Sequence, residues 1–529
     1  MDLHTAGHRR GVVAAPHEAA VEVGRAVLAE NGTALEAMVA MAATVAAVYP
    51  HMSQLGGDGV WLVREPSGRL RALMAIGRAG ANARRELYRD HETIPPRGPL
   101  AALTVPGAVA GWMLALEAAS VYGGRMQVSD LLAPAIAQAK EDAIVTRSQA
   151  HVTSEKLAEL KDATGFADVF LIEGKAPVIG EKIRQTALAA TLDHLAHAGL
   201  GDFYRGDVGR EIAADLERIG SPLTRADLKG CRATLVEPLS VALDAARLFN
   251  TPPPTQGLAS LIVLALFERL RVAQGEGFDH IHGLVEATKR AFAVRERVIT
   301  DPDRLPDRID RYLEAKFLDA EALAIDRRKA AAWPASAGAG GTVWMGAADR
   351  SGLVVSYNET LYWEFGSAVV LPRTGVLMQN RGSSFLLGDA ALNALEPGRL
   401  PPHTLNPALA VLADGRVMVY GAMGGDGQPQ TQAALFTRHV HYRIPLARAI
   451  DAPRWLLGRT WGTSHANLRM ESRFDGALVD RLLSAGHNVE ILPQPYSELM
   501  GHAGAVVLHP DATFEASHDP RADGGAAGA

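Results

Sequence analysis

The sequence predicts an α+β chain, and three observations carry that prediction. Two β-rich apolar runs, 343–345 (VWM) and 353–357 (LVVSY), flank the turn Asp349-Arg350-Ser351-Gly352 and read as a hairpin. From about Trp112 to Ala331 apolar residues recur at spacings of 3 and 4, the pattern of packed helices. Between them in kind is the stretch 11–50, a short apolar strand (11–15) followed by two helices.

Taken in order, the first helix runs 16–30 and stops at Asn31-Gly32; Thr33 then caps an Ala-rich helix reaching Tyr49. PHMSQLGGDGVWLV (50–63) sets a glycine turn before a strand, and no Walker or dinucleotide spacing follows Gly56-Gly57. TVPGAVAGW (104–112) is a turn leading into a helix, and the helical region breaks at 199–206 and at TPPPTQG (251–257). A small-residue linker, 332–341 (AWPASAGAGG), leads into the hairpin, so Thr342 is expected at the first residue of a buried strand. GVLMQNRGSSF (375–385) reads as a second strand and turn. His280 and His282 lack partners at ligand spacing and read as ordinary histidines.

Composition narrows the class. The chain has 529 residues, 48% hydrophobic and 21% charged, as expected of a soluble globular protein. Its net charge of −6 and the absence of a Lys/Arg run argue against nucleic acid as a partner. A single cysteine, Cys231, excludes an internal disulfide framework and a multi-cysteine metal site. No apolar run approaches the roughly 18 residues that span a bilayer, and the first residues show no apolar signal region. A cytoplasmic enzyme with no membrane partner is the expectation.

Thr342 is the candidate catalytic centre. A threonine hydroxyl needs a base, and cutting the chain just before it supplies one: its own freed α-amine. That amine has a pKa of about 7.7–8.0, suited to accepting a proton near neutrality. The β-branch restricts χ1, and Gly340 and Gly341 leave room for the backbone to distort during attack. A glycine-rich loop before an ordinary strand threonine has the same local appearance, and the residues alone leave both readings open.

The order Thr342, Gly352, Thr360, Phe365-Gly366 resembles the nucleophile region of the γ-glutamyltranspeptidase family of N-terminal-nucleophile hydrolases. The resemblance extends through 50–59, 104–112, 251–257, PPHTLNP (401–407), AMGGDG (422–427), DAPR (451–454) and HDPRADG (518–524). It implies a four-layer αββα sandwich and self-cleavage between Gly341 and Thr342. The pieces would be a large subunit, 1–341, and a small subunit, 342–529, of 529 − 341 = 188 residues. The two are expected to stay together as one catalytic heterodimer, with a dimer of heterodimers as a further expectation. Thr360 would bond the nucleophile, and the backbone N–H groups of Gly424 and Gly425 would form the oxyanion hole. Neither metal nor organic cofactor is implied.

The wording of GGTVWMGAADRSG, LYWEFGSAVVLP, QNRGSSF and PRWLLGRTWG (453–462) is similar to the oxamate amidohydrolase branch, which implies hydrolysis of oxamate to oxalate and ammonia in purine (allantoin) breakdown. Where glutamate-binding members hold an ammonium with acceptors, the corresponding positions are Arg381, Ser384 and Tyr362. Two serines of those members correspond to His403 and Thr404, and their carboxylate-gripping arginine to Arg78, displaced by about two residues. By charge such a pocket rejects an ammonium and accepts a carboxylate. The alternatives are a γ-glutamyl hydrolase or transferase, an acylase of the cephalosporin type with Trp344, Tyr362 and Trp363 lining an apolar slot, and an uncut chain that only binds.

Overall fold

Successive residues of single strands face different cores, and that alternation builds the layers. The computed structural model describes residues 1–141, 143–333, 341–458 and 466–529. In the first seven-stranded sheet the strands lie in the order Gly525–Gly528, Gly11–Ala15, Gly341–Asp349, Val354–Tyr362, Asp58–Arg64, Leu70–Ala75 and Thr234–Val236, every neighbour antiparallel. The second, also antiparallel, orders His4–His8, Phe514–His518, Ala503–Leu508, Val417–Ala422, Ala408–Leu412, Ala246–Asn250 and Leu239–Ala242.

Val12, Ala14, Val60, Leu62, Trp344 and Val354 meet Leu409, Val417, Val419 and Val506 between the two sheets. Their sequence neighbours Val13, Ala15, Val343, Met345 and Val355 turn to an outer layer that includes the helices Glu18–Ala29 and Ala34–Val48. On the far side Ala408, Ala410, Met418 and Tyr420 pack against the helices Gly257–Arg269 and Phe278–Val298. The result is the four-layer αββα sandwich. Among the described residues no helix is long and apolar enough to cross a membrane.

Several expected elements sit within a residue or two of their expected bounds. Thr33 forms a capping box with Glu36, and Gly352 closes the hairpin at φ +84°, a conformation glycine adopts at little cost. Two regions differ. Residues 234–250, read as part of a helical stretch, contain three strands: Thr234–Val236 pairs with Leu70–Ala75 and Ala246–Asn250 with Ala408–Leu412, both far away in sequence, while Leu239–Ala242 forms a local hairpin with Ala246–Asn250. Residues 375–385 form no strand. Leu377 and Met378 make isolated bridges to Val370 and Gly56, and Arg381–Ser384 is a 3₁₀ turn. Thr342 is the second residue of its strand, which begins at Gly341. Residues 334–340 of the linker, Gly340 among them, and 459–462 of the last family-like stretch lie outside the described residues.

Candidate active site

The site starts from an irregularity in the central hairpin. Gly341 pairs with Tyr362 but Val343 pairs with Glu359, so the second strand carries one extra residue opposite Thr342. A bulge of this kind re-aims side chains. Here it brings Thr360 Oγ1 to 3.3 Å from Thr342 Oγ1. Both hydroxyls donate to the Gly341 carbonyl, Thr342 at 2.7 Å, while Thr360 Oγ1 accepts from Tyr362 N at 2.8 Å. Both threonines are buried. The chain immediately beyond is bent by three non-glycine residues at positive φ, Tyr362, Phe365 and Ala368, and such strain gathers at functional sites.

Tyr362 links this pair to Arg381. The guanidinium carbon of Arg381 stands 3.6 Å from the centroid of the Tyr362 ring. Its Nη2 donates to Thr404 Oγ1 at 3.1 Å and its Nη1 to Pro402 O at 3.4 Å, while Nε has no partner among the described residues. The group is 0% exposed, and among the described residues no carboxylate pairs with it. Burial pushes its pKa down to about 10, so it remains a cation at neutral pH. Ser384, whose hydroxyl donates to Arg381 O at 2.8 Å, lines the same cavity of about 250 Å³ with Tyr362, Arg381, His403 and Thr404.

His403 has a different part from the one expected of it. Its Nδ1 accepts from Leu405 N and its Nε2 faces Asp58 Oδ2, each at 3.3 Å, so both ring nitrogens are committed to the protein. Burial, with Arg381 nearby, holds the ring neutral. Arg78 is not brought to this cavity. It lines a separate, larger one of about 640 Å³, half exposed, 3.5 Å from Asp301 and 3.6 Å from Asp303. Trp344 is core between the sheets, and Trp363 lies under Arg97 rather than in the cavity.

Gly424 and Gly425, at φ +115° and +54°, join the strand Val417–Ala422 to the helix Gly427–Phe436. A backbone so bent favours glycine, and the N-terminus of a helix behind it favours negative charge. Asn358 ties this loop to the nucleophile strand, its Nδ2 donating to Val343 O at 3.1 Å and Ala422 O at 3.3 Å.

Sequence reasoning passed over several residues here. Asp58 accepts from Gly77 N and Gly107 N besides facing His403, and burial raises its carboxyl to about 7. Arg295 holds Asp426 at 2.7 Å beside the glycine pair and also reaches Gln256. An acid inside each GGDG turn was the available signal for Asp58 and Asp426; nothing local marks Arg295. The fold also gathers His282, Glu286 and His487, with ligand atoms within 4.8 Å of one another, which the spacing did not reveal. Their atoms are already engaged: His282 with His487 and with Asp326 O, each at 2.8 Å, and Glu286 with the Lys289 ammonium at 2.6 Å.

The sandwich with a threonine hairpin at its centre defines a class, and the sequence match agrees: residues 20–529 match the family model described as Gamma-glutamyltranspeptidase, and the chain belongs to that family of N-terminal-nucleophile hydrolases acting on C–N amide bonds. Among individual relatives, the oxamate amidohydrolase proenzyme of Klebsiella pneumoniae is 50% identical over 98% of both chains. The glutathione hydrolase-like YwrD proenzyme of Bacillus subtilis is 36% identical, also over 98% of each. The crystal structure of cephalosporin acylase from Bacillus halodurans superposes with a TM-score of 0.89, at 29% identity, over 99% of this chain and 97% of its own.

Proposed function

We propose that this chain matures by cleavage between Gly341 and Thr342 and then hydrolyses a short amide whose carbonyl adjoins a carboxylate, oxamate being the simplest. One observation carries the reading: a buried arginine cation, unpaired with any carboxylate among the described residues, one aromatic ring away from the threonine pair. Its fork of N–H donors suits a carboxylate bidentately. A γ-glutamyl ammonium in its place would be repelled by about 4 kcal/mol at 4 Å, taking an effective dielectric of 20. The 50% identity to an oxamate amidohydrolase proenzyme supports the same substrate, and with it a place in purine breakdown.

In this mechanism the free Thr342 amine takes the hydroxyl proton and the oxygen attacks the amide carbon. Gly424 and Gly425 N–H groups hold the oxyanion. The proton passes to the departing nitrogen, ammonia leaves, and water releases the acyl group from Thr342. The segments 1–341 and 342–529 stay together because strands of both interleave in each sheet.

The test is release of ammonia from a panel of oxamate, glutamine, γ-glutamyl anilides and glutaryl amides. Oxamate should be preferred, and Arg381→Gln should raise its KM by two to three powers of ten, the scale of unpairing a buried charge. Maturation, which uses no substrate carboxylate, should proceed unchanged. A preference for γ-glutamyl anilides, or an Arg381→Gln enzyme that handles oxamate normally, would sink the carboxylate pocket.

A further inference from the structure

The Arg381 guanidinium lies over the Tyr362 ring at 3.6 Å, yet each residue rides on a different stretch of irregular chain. Tyr362 ends the strand Val354–Tyr362 at φ +83°, and the loop behind it turns through Phe365 at +58°, Gly366 at +53° and Ala368 at +61°. Arg381 opens the 3₁₀ turn Arg381–Ser384. Neither the chain after Tyr362 nor the chain before Arg381 belongs to a sheet. Backbone bonds from Ser367 N to Met378 O at 2.8 Å and from Met378 N to Val369 O at 2.9 Å tie the two stretches farther out. Next to the pair itself, the tie is Asn380.

Asn380 is buried and adjoins Arg381 in the chain. Its Oδ1 accepts at 3.0 Å from the N–H of Trp363, which adjoins Tyr362, and its own N donates to Leu361 O at 3.1 Å. Its Nδ2 donates to Pro96 O at 2.9 Å. Only this orientation of the amide satisfies an N–H on one side and a carbonyl on the other. Arg97 then grips the same loop: Nη1 donates to Glu364 O at 2.6 Å and to Gly366 O at 2.5 Å, while Nε and Nη2 hold Glu159 at 3.3 and 3.2 Å. Gly98 N donates to Ser367 O at 2.8 Å. Three successive residues of segment 1–341 thus bond to the loop behind Tyr362 and to the side chain beside Arg381.

We propose that Asn380 and Arg97 are positioning residues for the carboxylate grip, an inference that rests on the reading of Arg381 above. Neither lines the cavity of about 250 Å³; they act through the backbones of Tyr362 and Arg381. A guanidinium is a rigid planar fork, so its donors are aimed together or not at all. Loss of the Asn380 amide leaves Trp363 N and Pro96 O without partners and removes the bond that sets the spacing of ring and fork. Loss of the Arg97 fork releases two carbonyls of a loop held at strained backbone angles. A displacement of about 1 Å at a binding group costs up to about 10²-fold.

The experiment measures kcat and KM for oxamate in the matured wild type and in Asn380→Ala, Arg97→Met, Arg97→Lys and Arg381→Gln. Asn380→Ala and Arg97→Met should each raise KM by about 10–100-fold and lower kcat far less. Arg97→Lys, which restores the charge and part of the donor set, should recover part of the loss. A merely structural role would reduce the amount of active enzyme, lowering kcat and leaving KM where it was. Denaturing gels and near-UV circular dichroism check that each variant is cut and folded; should Asn380→Ala fail either check, Arg97→Met and Arg97→Lys decide by the same constants. If Arg381→Gln raises KM while the Asn380 and Arg97 variants leave it unmoved or lower only kcat, the proposal is overturned and the carboxylate pocket stands. If Arg381→Gln also leaves KM unmoved, the pocket reading falls and this proposal with it.

Discussion

At Gly341 the space for a side chain is already taken. An added Cβ would meet Glu364 N and Oε1 at 3.2 Å and Met52 Sδ at 3.3 Å, closer than ordinary contact. Gly341→Ala should therefore fold but mature more slowly, read as a persistent full-length band; maturation at the normal pace would mean the neighbours give way freely. Thr360→Val keeps the shape and removes the hydroxyl that donates to Gly341 O and faces Thr342. It should slow maturation and turnover alike, by about 10²–10⁴ if it aligns the proton transfer. Unchanged rates in both steps would reduce Thr360 to a strand residue. At this scale the two threonines and two glycines could be singled out as candidates because they sit in short contiguous motifs. Asp58 stands inside such a motif too, but its contacts with Gly77 N, Gly107 N and His403 come from distant segments.

Among elements, the loop joining the strand Val417–Ala422 to the helix Gly427–Phe436 is braced from both sides. Asn358 fixes its start, and the buried Arg295–Asp426 pair, with Gln256 donating to Gly425 O at 2.9 Å, fixes its end. Arg295→Met would leave Asp426 buried beside apolar atoms. A loss of about 3–5 kcal/mol is expected in denaturant unfolding, together with a lower kcat because the glycine pair loses its brace. The double variant Arg295→Met/Asp426→Leu should recover the stability without the kcat. If the single variant is as stable as wild type, the pair is not holding the loop. The hairpin could be read from its own residues, since both strands and the turn are local. The strands of 234–250 could not, because Thr234–Val236 and Ala246–Asn250 are short runs held by partners more than a hundred residues distant, and Leu239–Ala242 pairs only with the second of them.

At the scale of the whole molecule, burial depresses eight histidines among the described residues, His17, His51, His280, His403, His439, His487, His502 and His518, the last two to about 3 and about 4. Each is neutral in the fold and gains a proton on unfolding below about 6.5, the ordinary histidine value. Their stabilising contribution is complete above that pH and is lost as pH falls toward the folded values. Asp58 and Glu359, both raised to about 7, work oppositely: their contribution is present below the ordinary carboxylate range and lost as pH rises through 7. Glu268, Glu364, Glu498 and Asp523 are raised as well. The strongly shifted histidines outnumber the strongly shifted acids, so the Tm of the uncut Thr342→Ala chain should fall between pH 7 and pH 5. Calorimetry showing an equal or higher Tm at pH 5 would contradict this balance.

The sequence by itself determined the family, the layered α+β architecture that the family resemblance implied, and the candidate nucleophile, because those are written in contiguous motifs and in periods of two and of three to four residues. The tertiary structure decided which charges meet. Arg381 and Arg78 are equivalent in the sequence, each an arginine in a glycine-containing turn. Folding buries one against Tyr362 with no carboxylate in ion-pair contact among the described residues and leaves the other half exposed beside two aspartates. His403 was likewise readable as a polar contact for substrate until Asp58, 345 residues away, and Leu405 claimed its two nitrogens. The physical reason is common to both. A side chain's charge, free lone pairs and solvent access are set by groups from distant segments, and no local pattern encodes them.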